Sequence, residues 1–184
     1  MWLRLESCLL PLTIFGCFSC ASAADGPRTQ SKVPGDGSLI IREESHRTGT
    51  RVRVSTRDME VLSEKNRTLS LRLQCLHPLG AITVPDHCVV YLISKSRSYR
   101  YRTHDTQFSA VVDGVSVIET PFKSYTVLEE GSTVVEPLTS DWRYSDIKSL
   151  SLGSSIIFTL AGERITVPVN SLVPCRQLVE YFSK

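Results

Sequence analysis

Phe108-Ser109-Ala110-Val111-Val112-Asp113-Gly114-Val115-Ser116-Val117-Ile118 decides the fold. Two runs rich in β-branched residues are joined by Asp113-Gly114 alone. A two-residue link between such runs predicts a type I′ hairpin, because both turn residues need positive φ. An antiparallel sheet is therefore the expected architecture.

Outward from the hairpin, the same period of two recurs. Arg51-Val52-Arg53-Val54-Ser55 alternates, and Leu69-Ser70-Leu71-Arg72-Leu73-Gln74 puts every leucine on one face. Both read as half-buried strands. Val89-Val90-Tyr91-Leu92-Ile93 is continuously apolar, which suits a central strand. Further strands are expected at residues 125–128 and 133–138, and residues 155–160 should pair with 164–169 across Ala161-Gly162-Glu163. Near the C-terminus the period changes to that of a helix. Residues 141–150 are expected to be helical, with Ser140 or Asp141 as N-cap and Gly153 beyond the end. A last helix is expected to start at Asn170 or Ser171 and to run to Phe182, burying Cys175, Leu178, Val179 and Phe182. The fold class is mainly β: antiparallel, sandwich-like sheets with one or two short C-terminal helices.

The chain of 184 residues opens on an export signal over residues 1–23. Arg4 supplies the positive charge, Leu9 to Phe18 a short apolar core, and Ala21-Ser22-Ala23 a small-residue cleavage site. The apolar run is too short, and too interrupted by Pro11, to span a bilayer. Cys17 and Cys20 are candidate lipidation sites, though Phe stands where a small residue is usual; the alternatives are plain cleavage and an uncleaved anchor. Residues 24–50 read as a flexible linker, rich in Gly and Pro, in which the Leu39-Ile40-Ile41 cluster is able to dock as an edge strand. Residues 51–184 read as a single β-rich domain. The net charge of +2 argues against bulk nucleic-acid binding.

Beyond the leader lie Cys75, Cys88 and Cys175. Cys75 ends one alternating run and Cys88 begins the next, across a loop holding Pro78, Gly80 and Pro85. In an oxidising compartment this arrangement predicts a disulfide. The competing reading is a zinc site made with His77 and His87, although the usual C-x₂₋₄-C spacing is absent. Cys175 reads as a buried apolar thiol.

No phosphate-cradling glycine loop, G-x-S-x-G elbow or H-E-x-x-H motif occurs. Val111-Val112-Asp113-Gly114 lacks the Thr or Ser that an aspartic-protease loop needs between Asp and Gly. Asn66-Arg67-Thr68 is a glycosylation sequon, relevant only in a eukaryotic host. The stretch from Lys95 to Arg102 interleaves cations with aromatics: read as a strand, it puts Lys95, Arg97, Tyr99 and Tyr101 on one face and Arg100 and Arg102 on the other. The bland alternative is a solvated edge protected by its charges.

The pattern Ser94-x-Ser96-x-x-Tyr99-x-Tyr101, followed by Val112-Asp113-Gly114 and Val135-Glu136, resembles uncharacterised exported β-rich domains of bacteria. In those the first aromatic is usually Trp, where this chain has Tyr99. The resemblance implies a β-rich module with no assigned activity. The expected function is a non-enzymatic binding or structural module of the cell envelope or extracellular space, without metal or cofactor. Its partner is expected to be a protein or an anionic cell-surface polymer, with membrane attachment through a lipid anchor where a leader cysteine is acylated. The alternative is an exported hydrolase or metal-dependent enzyme using His77, His87 and His104.

Overall fold

The computed structural model describes residues 38–46, 49–101, 105–124 and 127–184. The hairpin signal is obeyed. Strands β6 (Asp105–Val112) and β7 (Val115–Ser124) pair antiparallel with Val112 opposite Val115. Asp113 and Gly114 take φ of 49° and 83°, as a turn of this hand requires. The Asp113 carboxylate also accepts hydrogen bonds from Ser154 N–H (3.1 Å), Ser154 Oγ–H (2.7 Å) and Ser155 N–H (2.8 Å), which lock the hairpin tip onto a neighbouring loop.

Before the hairpin come β1 (Leu39–His46), β2 (Gly49–Thr56), β3 (Met59–Glu64), β4 (Arg67–Pro78) and β5 (His87–Ser96). After it come β8 (Leu128–Glu130), β9 (Thr133–Arg143), α1 (Tyr144–Leu152), β10 (Ile156–Leu160) and β11 (Glu163–Thr166). A 3-10 turn (Val169–Leu172) leads into α2 (Val173–Phe182). The strands form one antiparallel sheet in the order β1-β2-β4-β5-β9-β7-β6-β10-β11, with β3 beside β4 and β8 beside β9.

Strands β2 and β3 share one edge of the long β4, β2 against its C-terminal half and β3 against its N-terminal half. At the kink between them Thr56 Oγ1 accepts the Leu73 N–H (3.0 Å), filling the missing rung with a side chain. Arg72 pairs with Asp58 across the same kink at 2.7 Å.

The sheet curls until its two ends meet. Arg67 on β4 reaches Glu163 on β11 at 2.6 Å, and β3 contacts β11. The enclosed space is a single apolar core in which Phe108 stacks on Trp142 (5.3 Å between ring centres) and meets Phe122 and Phe158 edge-on. The helices pack on each other, α2 lying against β1 and β2 and α1 against β7 and β9. Cys175, Leu178, Val179 and Phe182 form the buried face of α2, as their spacing predicts.

Cys75 and Cys88 form a disulfide, with Cα atoms 4.6 Å apart. Among the described residues no helix is long and apolar enough to cross a membrane.

Four expectations need correction. The expected linker of residues 24–50 ends early, because Leu39–His46 pairs along its whole length with β2 and buries Ile41. The described fold thus begins near Leu39 rather than Arg51, and residues 24–37 lie outside the described residues. Residues 141–143 are not helical: His87 to Ser96 hold β9 in register as far as Arg143, so α1 starts at Tyr144. Neither Ser140 nor Asp141 caps it. The strand expected at residues 125–128 appears only as β8, residues 125 and 126 being outside the described set. The last helix is entered through the 3-10 turn, without a side-chain cap from Asn170 or Ser171.

Candidate functional site

The inward-facing residues of three central strands change character at one end of the molecule. On β4 the series Arg67, Leu69, Leu71, Leu73, Cys75, His77 is buried, alternating with more exposed neighbours. On β5 it is Cys88, Val90, Leu92, Ser94, Ser96, and on β9 Glu136, Leu138 and Trp142 are buried. Register places Ser94 opposite Glu136 and Ser96 opposite Arg67. Arg67, Ser94, Ser96 and Glu136 therefore form a polar end to an otherwise apolar interior.

Glu136 is fully buried. Its Oε1 accepts the N–H of Arg100 (3.0 Å) and of Tyr101 (2.8 Å), and its Oε2 also accepts from Arg100 (3.0 Å). A buried carboxylate without such donors costs several kcal/mol (about 3–5 when its partner is lost). Here it ties down the backbone of the segment that follows β5. Ser96 Oγ–H strengthens the same bend by donating to Ser98 O at 2.6 Å.

Arg67 is the second buried charge, its side chain 2% exposed. It donates to Glu163 (2.6 Å) and to the Tyr101 hydroxyl (3.1 Å). Burial opposes its charge, but the Glu163 bond and the proximity of Tyr101, Glu163 and Glu64 hold its pKa above the ordinary value. Burial pushes the Tyr101 phenol up, against the attraction of Arg67, so Tyr101 remains a neutral anchor at physiological pH.

These bonds rearrange the expected basic-aromatic face. The strand stops at Ser96 and the chain bends at Arg97 and Ser98, so the segment is not a continuous strand with two faces. Tyr101 is buried beneath the segment and is removed from the surface. Lys95, Arg97, Tyr99 and Arg100 remain exposed, and Arg102 lies outside the described residues. The Tyr99 hydroxyl donates to Glu129 on β8, so a carboxylate borders the cations.

Of the three histidines named for metal or hydrolase chemistry, the two described ones, His77 and His87, stand in different surroundings. His77 sits at the opposite end of β4, buried, with Nδ1–H directed at Pro78 O (2.8 Å) and Ala81 O (3.1 Å). Its Nε2 accepts from the Tyr181 hydroxyl (2.9 Å), so one nitrogen ties α2 to the sheet while the other holds the loop after β4. His87 is exposed in a cleft with Asp86, Arg143 and Lys148. His104 lies outside the described residues, as do Cys17 and Cys20. Cys75 and Cys88 are spent on the bridge, which removes both thiols of the zinc reading. Among the described residues no group of three or more His, Cys, Asp or Glu is arranged to hold a metal. Cys175 is buried, and burial pushes its thiol up to about 12.

Two members of this site, Arg67 and Glu136, stand in no motif that marks them as site residues. The signal for Arg67 is its phase: it stands at i−2 from Leu69 on the inward face.

No protein-family model matches the chain, no curated protein matches it, and no solved structure matches it.

Proposed function

We propose that the protein is an exported, non-enzymatic binding module whose contact surface is the cationic segment Lys95, Arg97, Tyr99 and Arg100. Its partner is anionic, a cell-surface polymer or the acidic face of a protein. The observation that carries this reading is the Glu136 carboxylate, which grips the backbone of Arg100 and Tyr101 from inside the fold. Arg100 thereby projects from a pre-ordered backbone, and the Ser96–Ser98 bond fixes the bend that carries Arg97, which lowers the entropy lost on binding. The leader, its removal or acylation at Cys17 or Cys20, and residence outside the cytosol belong to the same proposal. The disulfide supports them, since such bridges persist in oxidising compartments.

The test is retention of the purified protein on immobilised teichoic acid, with neutral dextran as control. The proposal expects retention on the polyanion alone, falling as salt is raised. It expects a Lys95→Ala/Arg97→Ala/Arg100→Ala variant to lose most of that retention. Equal retention of variant and wild type, or none by either, would overturn it.

A further inference from the structure

The loop closed by the Cys75–Cys88 bridge carries three aliphatic side chains in the open: Leu79 is 51% exposed, Ile82 49% and Val84 57%. Scattered exposed aliphatics need no explanation, but three within six residues on one loop tip do. The loop is also held firmly. Leu79 N–H donates to Thr50 O (3.2 Å), and Asp86 O accepts the Tyr144 N–H (2.9 Å). The buried His77 donates to the Pro78 and Ala81 carbonyls.

These bonds satisfy backbone groups that would otherwise demand water. Pro78 and Pro85 have no N–H to satisfy. With both ends of the loop held, Leu79, Ile82 and Val84 form a fixed aliphatic tip suited to the shallow boundary between headgroups and acyl chains, where the remaining backbone groups of the tip still meet water. Immediately behind the tip, Val84 and Pro85 form one wall of a cleft of about 770 Å³ whose other walls carry His87, Arg143, Ser145, Lys148 and Phe182. Arg51, opposite Pro78 on β2, is exposed on the same end. Asp86 shares the cleft and Asp146 pairs with Arg143 at 3.1 Å, so the cations exceed the anions only modestly.

We propose that this end of the molecule docks on a membrane surface containing anionic phospholipid. Leu79, Ile82 and Val84 enter the boundary between headgroups and acyl chains. Lys148, Arg143 and Arg51 meet lipid phosphates at headgroup depth. A membrane fits this surface better than a protein partner does. The apolar element is three aliphatic side chains on one loop, and it carries none of the Trp or Tyr anchors that dominate protein interfaces. The surface is separate from the Lys95–Arg100 segment, so the two proposals stand or fall independently.

The test is sedimentation of the purified protein with vesicles of phosphatidylcholine and phosphatidylglycerol, and with phosphatidylcholine alone. Wild type is expected to sediment with the mixed vesicles, and more weakly with the neutral ones. An Ile82→Ser/Val84→Ser variant is expected to lose about tenfold in partitioning, since two aliphatic side chains no longer leave water. Both positions are exposed, so the substitutions leave the core intact. An Ile82→Trp variant adds a second readout: its fluorescence should shift blue with vesicles and be quenched by brominated acyl chains. No sedimentation with either vesicle, equal partitioning of the serine variant, or an unshifted and unquenched Ile82→Trp signal would overturn the proposal.

Discussion

Asp113 shows how much one side chain decides. It sets the positive φ of the hairpin, and its carboxylate collects hydrogen bonds from Ser154 and Ser155. Those bonds favour the charged form, led by the Ser154 side chain, so its pKa lies below the ordinary 3.8. A carboxylate depressed in the folded state contributes stability above its unfolded pKa and loses it as pH falls through the folded value. Asp113→Asn keeps a residue that tolerates this backbone and removes only the charge. The melting temperature of wild type should exceed that of Asp113→Asn at neutral pH, and the difference should shrink as pH drops below about 4. A pH-independent difference would show that geometry, not charge, holds the tip. Burial likewise decides the fate of Arg67 and Tyr101. Arg67 keeps phase with Leu69, Leu71 and Leu73, and that periodicity was readable. Nothing local announces that Tyr101 turns inward, because its place depends on Glu136, 35 residues further on.

At the scale of elements, the local signals were dependable and the long-range ones were not. The Asp113-Gly114 hairpin, the alternation in β2 and β4 and the i, i+3, i+4, i+7 buried face of α2 follow from turn chemistry and period. The end of β9 is hidden in the sequence because Asp141-Trp142-Arg143 is polar enough to begin a helix, while its pairing with His87 to Val89 is a long-range event. The Cys75–Cys88 bridge was legible because one hairpin carries both thiols. Its loop spans a sequence separation of 13, for which the chain-entropy account gives about 3 kcal/mol. Cys75→Ser/Cys88→Ser should therefore lower the urea unfolding free energy by about 2–4 kcal/mol at unchanged sheet content. A loss below about 1 kcal/mol would mean that the strand ladder alone fixes this hairpin.

At the scale of the whole molecule, the sheet order makes β4, β5 and β9 the interior of the assembly, each paired on both edges, while β1 and β11 are outermost. The Arg67–Glu163 pair closes the curl, but Glu163 is largely solvated, so this closure contributes little beyond about 1 kcal/mol. Backbone amides of Leu71, Val90 and Leu92 should exchange with deuterium slowest, and those of β1 and β11 orders of magnitude faster. Slowest exchange in β11 would contradict the order of strength inferred from the pairing. The two ends of the curled sheet differ in kind. One carries buried charges under a cationic segment, and the other carries the bridged aliphatic loop over the helices.

The order of the cationic segment rests on the buried Glu136 carboxylate. Affinity of Glu136→Gln for teichoic acid, measured at fixed salt beside hydrogen exchange at Arg100 and Tyr101, tests it most directly. Every surface cation is retained in this variant. The account predicts faster exchange at both amides and affinity weaker by about tenfold, since the segment must be ordered on binding. Faster exchange with undiminished affinity would contradict it.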